Sequence, residues 1–411
     1  MAGNETEPGR APFSTYLRET DATEYRDATL NLPIIDLEHG DSPFDPDPAY
    51  FELFRTQSEA LAQAGKKYPD SDLYAQNELA PLVREDLDLS EEVAIAFSGG
   101  GSDALLDRFF TELFAREPVL GIGPHFANVV NFARKNRERR KMQGYSYYSS
   151  GNFVPLGVSQ EEALYEITRR RSQMPRNLVI YLNRPGQPDG DVASLESVDM
   201  FTAKAFDYGD IVVIDEALGD VMKKTESAAQ LVGYNPNVVV MRSTTKTLGV
   251  ADGVGYVMMS KDVERKYKEV QRPVETRGIH ILIAKTILDP EVMQRYTTNL
   301  VENKIKPIKQ QLKEGLQELG LRVFRSDPRV HMMLVEGPEG VNLHDLIQLH
   351  GVLTTSGLAY QPTHPEIGMR HVRMRIPGDR SILPHLLLAI KASLQSKDRP
   401  RASRFENVRK Y

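Results

Sequence analysis

Residues 211–259 constrain the fold of this 411-residue chain more than any other stretch, because short apolar runs alternate there with polar residues. An apolar run at 211–214 ends in Asp215, and a second run at 237–241 is followed shortly by Lys246. Runs that are apolar throughout are typical of strands covered on both faces of a parallel sheet. In such sheets, ligands bind beyond the carboxyl ends of the strands. The stretch therefore predicts that a carboxylate and an amine lie close together at one edge of a sheet.

The flanking sequence continues this pattern. Further apolar runs occur at 93–97, 119–123, 178–182 and 257–259. They alternate with helical segments, which predicts a mostly parallel sheet with helices on both faces. After residue 290 the order changes to a long helical region at 299–319, several short extended segments and a closing helix at 383–394. That change favours a smaller α+β domain.

The length of the chain favours two domains rather than one. We predict an N-terminal arm at 1–30 and a large α/β domain at 61–289. Residues 31–60 and 290–411 are predicted to form the small domain together. Two further helices are expected near the start, at 49–64 and 79–87, from the spacing of their apolar residues.

Composition excludes several classes of site. The chain has no cysteine, so disulfides, thiolate metal sites and a cysteine nucleophile are excluded, and no metal is expected. It has no apolar run of about 18 residues, and its first residues do not resemble a secretion signal. We therefore expect a cytoplasmic protein. The net charge of −6 gives no drive towards nucleic acid or membrane. Basic clusters at 134–141 and 169–171 are interpreted as solvated helix faces, since they lack interleaved aromatic residues.

A glycine-rich turn at 98–103 joins a predicted strand to an amphipathic helix. Backbone N–H groups at such a turn, with the helix dipole behind them, favour an anion such as a phosphate. A purely structural tight turn explains the glycines equally well. The turn is not a P-loop, because no Gly-Lys-Ser/Thr follows it.

A carboxylate and a lysine at the edge of a sheet suit pyridoxal 5'-phosphate. The lysine would form the Schiff base, and the acid would keep the pyridine nitrogen protonated. Taken alone, Lys246 is more ordinarily a surface lysine, and Asp215 is a helix cap about as often as a ligand, so the interpretation depends on the wider pattern.

Several motifs in order give that pattern. The chain resembles the fold-type I pyridoxal-phosphate enzymes, in particular the class I/II aminotransferases and most closely their histidinol-phosphate-aminotransferase-like branch, over roughly 37–393. The segments that carry the resemblance are Tyr68-Pro69, Gly101-Ser102-Asp103-Ala104-Leu105-Leu106, Pro124-His125-Phe126, residues 184–190, Asp215-Glu216-Ala217-Leu218, Ser243-Thr244-Thr245-Lys246 and Met374-Arg375-Ile376. The resemblance implies a fold-type I architecture, with a large domain built on a mostly parallel seven-stranded-type sheet and a smaller α+β domain.

The resemblance also implies roles for individual residues. Lys246 would be the catalytic Schiff-base lysine, and Arg375 would bind the substrate carboxylate, with Gly40 beside it. The expected cofactor-binding residues are Ser102 and Asp103 at the phosphate, Phe126 stacked on the ring, Gln187, Asp215, Ser243, Thr245, Lys246, and Tyr68 supplied by the neighbouring subunit of a homodimer. His39, Asp41, His125 and Tyr360 are weaker candidates for the substrate pocket.

Three positions depart from the family pattern. Leu218 stands where the family has a tyrosine that binds the pyridoxal O3′, and Gln187 replaces an asparagine that binds the same atom. Gly253 replaces an arginine that binds the phosphate, and Arg277 is a candidate substitute. Losing a charged donor to a phosphate costs about 1.5–3 kcal/mol unless it is replaced.

These departures leave the reaction open. The family mechanism implies an aminotransferase-like enzyme that acts on an L-amino acid through external aldimine and quinonoid intermediates, here in specialised biosynthesis. The alternative is other chemistry on the same cofactor: β- or γ-elimination, replacement, carbon–carbon bond formation, cyclisation or oxidation. A third hypothesis, from another class, is a pseudoenzyme or binding protein, although the presence of both Asp215 and Lys246 argues against it.

Overall fold

The computed structural model describes residues 34–38, 42–66, 71–123, 126, 129, 132, 149–150, 156–246, 249–250, 253–271, 276–360 and 365–396. Tyr68 and Gly40, and the weaker candidates His39, Asp41 and His125, lie outside these residues, so their predicted roles stay predictions. No helix within the described ranges is long and apolar enough to span a membrane.

Thirteen strands occur in the described residues. They are β1 (Ile35–Asp36), β2 (Ala94–Ser98), β3 (Val119–Ile122), β4 (Ser149–Ser150), β5 (Val179–Asn183), β6 (Ile211–Asp215), β7 (Val238–Ser243), β8 (Gly255–Met259), β9 (Arg322–Val323), β10 (Met332–Glu336), β11 (Val352–Leu353), β12 (Thr355–Ser356) and β13 (His371–Arg375).

The largest sheet has seven strands in the order β2-β8-β7-β6-β5-β3-β4. Strands β3 to β7 pair in parallel, and β8 runs antiparallel to both of its neighbours, β2 and β7. This arrangement confirms the predicted α/β fold with a mostly parallel sheet. A second, four-stranded antiparallel sheet has the order β12-β13-β10-β9, and β1 pairs in parallel with β11.

The α-helices are α1 (Pro48–Thr56), α2 (Ser58–Lys66), α3 (Ser71–Leu87), α4 (Gly101–Arg108), α5 (Gln160–Arg170), α6 (Leu195–Asp207), α7 (Ala229–Val232), α8 (Lys261–Val270), α9 (Gly278–Ile287), α10 (Pro290–Leu300), α11 (Lys306–Glu318), α12 (Leu343–Gln348), α13 (Pro365–Gly368) and α14 (Leu383–Gln395). Two π-helical turns, Phe109–Leu113 and Val301–Ile305, extend α4 and join α10 to α11. Short 3-10 turns occupy Arg171–Gln173, Gly219–Val221, Lys224–Glu226, Gly357–Ala359 and Arg380–Ile382.

Helix boundaries differ from the sequence prediction in three places. The helical region expected from residue 299 begins at Pro290, because the Asp289 carboxylate caps its first turn and proline favours the first helical position. The helix expected at 49–64 is two helices, since α1 ends at Thr56, with Gln57 as its C-cap, and α2 begins at Ser58. Helix α3 begins at Ser71 instead of residue 79.

The seven-stranded sheet is covered on both faces. Val212 and Ile214 of β6 belong to one hydrophobic core, whereas Val213 between them belongs to another. Burying one such side chain contributes about 1.5–3 kcal/mol, which explains why consecutive residues of these strands are apolar up to their carboxyl ends. A third core packs α10, α11 and α14 against β10 and β13. The predicted domain boundaries stay a prediction.

Candidate active site

Asp215, the last residue of β6, lies at the centre of a hydrogen-bonded group. The Tyr181 hydroxyl donates to its Oδ2 at 2.7 Å, and the Asn183 Nδ2 donates to the same oxygen at 3.2 Å. The Ala217 backbone N–H donates to Oδ1 at 2.9 Å. The side chain is buried, so these donors keep a carboxylate satisfied away from water.

Asn183 joins Asp215 to Phe126. Asn183 and Asp215 are register partners on the parallel strands β5 and β6. The amide oxygen of Asn183 accepts from the backbone N–H of Phe126 at 2.9 Å. The predicted ring-stacking residue and the predicted acid are therefore held by one side chain.

The charges around Asp215 act in opposite directions. Burial raises the pKa of its carboxyl, the Tyr181 hydrogen bond lowers that pKa, the Asp103 charge raises it and the Lys246 charge lowers it. Asp215 ends β6, and Lys246 follows the end of the parallel neighbour β7, so both lie at one edge of the sheet. Asp103 lies in the first turn of α4.

Strand β7 ends at Ser243, and the turn after it carries Thr245 and Lys246. The Ser243 and Thr245 hydroxyl oxygens are 2.7 Å apart, and the Thr245 N–H donates to Ser243 Oγ at 3.2 Å. A methyl group added to Gly101 would lie 3.8 Å from Ser243 Oγ and 3.9 Å from Thr245 Cγ2. The turn after β7 therefore lies against the glycine-rich turn before α4.

The N-cap residue of α4, Gly100, makes no side-chain cap, and the first N–H groups of a helix have no partner within the helix. Gly101 has a φ of +69°, in the left-handed region that favours glycine. A Cβ on Gly255 would lie 2.2 Å from the Gly101 carbonyl carbon and 2.5 Å from the Ser102 nitrogen. Strand β8 thus packs backbone to backbone against the start of α4, which only glycine at 255 permits.

Two of the departures from the family pattern have structural causes. A Cβ on Gly253 would lie 2.0 Å from Thr244 Oγ1, which accepts from the Val254 N–H at 2.9 Å. No side chain fits there without displacing Thr244. Leu218 is buried in the same core as Val221 and Met222. The side chain at position 218 therefore contributes to apolar packing.

Gln187 follows β5 and is buried, with a side-chain oxygen that has no hydrogen-bond partner among the described residues. A buried polar atom of this kind ordinarily has a partner. A bound polar group would supply one.

Arg375 ends β13 and is buried. Its Nη2 donates to the Asp36 carbonyl at 3.2 Å, and its backbone N–H donates to the Leu37 carbonyl at 3.0 Å. Strand β1 and the segment that leads towards Gly40 therefore begin beside Arg375. Tyr360 is also buried. Arg277 is exposed at the start of α9, and its proposed substitution for the phosphate arginine stays a prediction.

Sequence reasoning missed Tyr181 and Asn183. The available signals were a tyrosine inside an otherwise aliphatic strand and an asparagine at the end of that strand, the position equivalent to Asp215 in the next one. Neither residue belongs to a motif that the resemblance used.

A buried ionic cluster was missed as well. Arg184 Nη1 donates to Glu216 Oε1 at 2.9 Å, Ser227 Oγ donates to Glu216 Oε2 at 2.6 Å, and Arg242 Nε lies 3.8 Å from Glu216 Oε2. Arg242 also pairs with Asp220 at 3.4 Å, and burial raises the pKa of Asp220 to about 7. The cluster ties together residues that directly flank Asp215 and Ser243.

The donor set fits pyridoxal phosphate. An uncapped helix N-terminus beside two hydroxyl groups suits a phosphate. A buried carboxylate suits a protonated ring nitrogen, a nearby lysine suits the aldehyde, and the Gln187 amide lacks a partner among the described residues.

Comparisons with known proteins agree with this geometry. A sequence model described as aminotransferase class I and II matches residues 33–390. A histidinol-phosphate aminotransferase of Acinetobacter baumannii (strain AB307-0294) is 26% identical over 300 residues, which are 71% of this chain and 74% of that protein.

Solved structures share the fold. The aspartate aminotransferase of Thermus thermophilus with maleate has a TM-score of 0.72 and 21% identity, covering 91% of this chain and 95% of its own. The histidinol-phosphate aminotransferase of Sinorhizobium meliloti in complex with pyridoxal-5'-phosphate has a TM-score of 0.68 and 19% identity, covering 88% of this chain and 92% of its own. The protein described here therefore belongs to the aminotransferase class I and II family of enzymes, and its cofactor is pyridoxal 5'-phosphate.

Proposed function

We propose that this enzyme transfers the amino group of an L-amino acid, with Lys246 as the catalytic lysine and Asp215 as the residue that holds the pyridine nitrogen. The observation that carries the proposal is the placement of these two residues at one edge of the sheet: Asp215 ends β6, and Lys246 follows the end of the parallel neighbour β7.

Bound pyridoxal phosphate supplies an electron-withdrawing ring that stabilises negative charge at the substrate Cα. Asp215 would support this by accepting a hydrogen bond from the ring nitrogen, which favours a positive ring. Lys246 Nζ would remove the proton from the substrate Cα, as general base and then general acid. Phe126, whose backbone Asn183 holds, would cover one face of the ring.

The phosphate is proposed to bind at the start of α4. The Ser102 and Asp103 N–H groups donate to it there, where the helix dipole favours negative charge. The Ser243 and Thr245 hydroxyls lie beside this turn. One of them donates to the other, so the pair has one proton left for the phosphate. This set provides part of what the arginine replaced by Gly253 supplies in the family.

The substrate carboxylate is proposed to bind Arg375, because a guanidinium makes a two-point contact that lysine does not. Gly40 would lie beside it, and Gln187 would reach the pyridoxal O3′. Tyr68 would come from the second subunit of a homodimer. A cytoplasmic location and a role in specialised biosynthesis stay predictions from the sequence.

The test is a half-reaction on the purified holoenzyme. Incubation with a panel of L-amino acids is expected to convert the cofactor absorbance to that of the pyridoxamine form and to release the matching 2-oxo acid. Lys246→Ala is expected to abolish the conversion and the borohydride-reducible attachment of the cofactor. Lys261→Ala, at an exposed position of α8, is the control and should change neither. Full conversion by Lys246→Ala would contradict the assignment.

A second candidate is elimination, replacement or ring closure on the same cofactor. Leu218 and Gly253 favour this candidate. Leu218 is buried in an apolar core, and Gly253 has no room for a side chain, so neither position supplies the hydrogen-bond donor that the family has there. Mass spectrometry of the products from γ-substituted amino acids distinguishes the two. Loss of the γ-substituent without a pyridoxamine signal supports this candidate, and a 2-oxo acid that keeps the γ-substituent, formed together with the pyridoxamine form, excludes it.

A further inference from the structure

We propose that Tyr181 and Asn183 are positioning residues that orient Asp215 and set its strength as an acceptor, leaving one defined lone pair of Oδ1 for the cofactor. The inference rests on the proposed role of Asp215. It concerns two residues that lie in none of the motifs that identify the family.

The geometry assigns every donor around Asp215. Its Oδ2 accepts from Tyr181 at 2.7 Å and from Asn183 at 3.2 Å, which fills both lone pairs of that oxygen. Its Oδ1 accepts from the Ala217 N–H at 2.9 Å. Among the described residues, the second acceptor position of Oδ1 is therefore the one left for a ring nitrogen.

The orientation of the Asn183 amide follows from a backbone contact. Its Oδ1 accepts from the Phe126 N–H at 2.9 Å, so the other end of the amide must be the nitrogen. That nitrogen donates both to Asp215 and to the Tyr181 hydroxyl oxygen at 2.9 Å. Because Tyr181 accepts there, its single proton is directed to Asp215. The same amide also holds the Phe126 backbone in position relative to the Asp215 carboxylate.

The protonation states of Tyr181 and Asp215 are consistent with donation from the Tyr181 hydroxyl to the Asp215 carboxylate. Burial and the Asp215 charge raise the pKa of Tyr181 well above its usual value, so the phenol keeps its proton. For Asp215, burial raises the carboxyl pKa and the Tyr181 hydrogen bond is the main factor that lowers it, with Asp103 and Lys246 as the neighbouring charges. Removing the Tyr181 hydroxyl therefore makes Asp215 a stronger base. A proton shared with the ring nitrogen would shift towards the carboxylate.

The variant is Tyr181→Phe, and the control is Tyr267→Phe. Tyr267 is also fully buried in the same core, but its hydroxyl accepts from Arg108 at 2.6 Å. Two measurements are made. In the cofactor-free protein, infrared titration of the carboxyl band that Asp215→Asn removes gives the Asp215 pKa. In the holoenzyme, the ¹⁵N chemical shift of labelled cofactor reports the protonation of the ring.

Tyr181→Phe is expected to raise the Asp215 pKa, to move the ¹⁵N signal towards that of neutral pyridine, and to weaken cofactor affinity about tenfold. Asn183→Leu should shift both signals in the same direction. Tyr267→Phe should leave them at the wild-type values, with thermal unfolding recorded for all variants. An unchanged Asp215 pKa in Tyr181→Phe overturns the proposal. If Tyr181→Phe raises the Asp215 pKa as expected but the wild-type protein does not bind the cofactor, the proposed function is refuted instead.

Discussion

At the scale of single residues, one glycine determines how part of the proposed cofactor region is packed. Gly253 stands where the family has a phosphate-binding arginine, and its hydrogen faces Thr244 Oγ1. Thr244 makes reciprocal bonds with the backbone of Val254, its N–H and side chain both reaching the Val254 carbonyl. A side chain at position 253 would therefore collide with Thr244, which is held in place by these bonds.

This arrangement predicts the outcome of restoring the family residue. Gly253→Arg is expected to destabilise the protein by about 1–3 kcal/mol through overpacking, without strengthening phosphate binding. Denaturant unfolding and cofactor titration measure the two effects. Gly233→Ala is the matched control, because nothing lies within 4 Å of a Cβ there. Tighter cofactor binding by Gly253→Arg would show that the arginine site persists.

At the scale of elements, the close contact between β8 and α4 positions the proposed phosphate site. Gly255→Ala would place a methyl group 2.2 Å from the Gly101 carbonyl carbon, which is backbone and cannot rotate away. The start of α4 must then move away from the turn after β7. We expect cofactor affinity to fall at least tenfold, about 1.4 kcal/mol, while Gly233→Ala leaves it unchanged. Equilibrium titration of the cofactor-free protein tests this, and unchanged affinity would contradict it.

The burial and register of the strands also explain which features could be predicted from the sequence. Strands such as β6 and β7 were recognisable because both faces of the sheet are buried, so consecutive positions before their polar ends are apolar. Asp215 and Lys246 were recognisable because they follow such strands. Tyr181 and Asn183 were not, because their role depends on the register of β5 against β6. The packing of Gly253 against Thr244 depends in the same way on a contact between two turns.

At the scale of the whole molecule, a buried lysine connects the segment after β5 to the second sheet. Lys309 of α11 donates to Ser326 Oγ at 2.6 Å and to the carbonyls of Asp327 and Val330 at 2.6 and 2.7 Å. The Asp327 N–H donates to the Gly190 carbonyl at 2.9 Å. Lys309 therefore supports a segment that is hydrogen-bonded to Gly190, in the loop that carries Gln187.

This lysine predicts a dependence of stability on pH. Burial lowers the pKa of Lys309 to about 7, whereas in the unfolded chain it is about 10.4. Between these values the unfolded state binds more protons, so the contribution of Lys309 to the free energy of unfolding rises with pH, by at most about 1.4 kcal/mol per pH unit. Below pH 7 both states are protonated and the dependence disappears.

Lys309→Met removes this titration. Urea unfolding of wild type and variant between pH 6 and 10 is expected to give a difference in unfolding free energy that is constant below about pH 7 and grows in favour of wild type above it. Lys268→Met, at an exposed position of α8, should show no such growth. Loss of the three hydrogen bonds lowers the variant's stability at every pH, so the slope carries the test. Parallel curves across the whole range would mean that Lys309 keeps an ordinary pKa and stays charged in the folded enzyme.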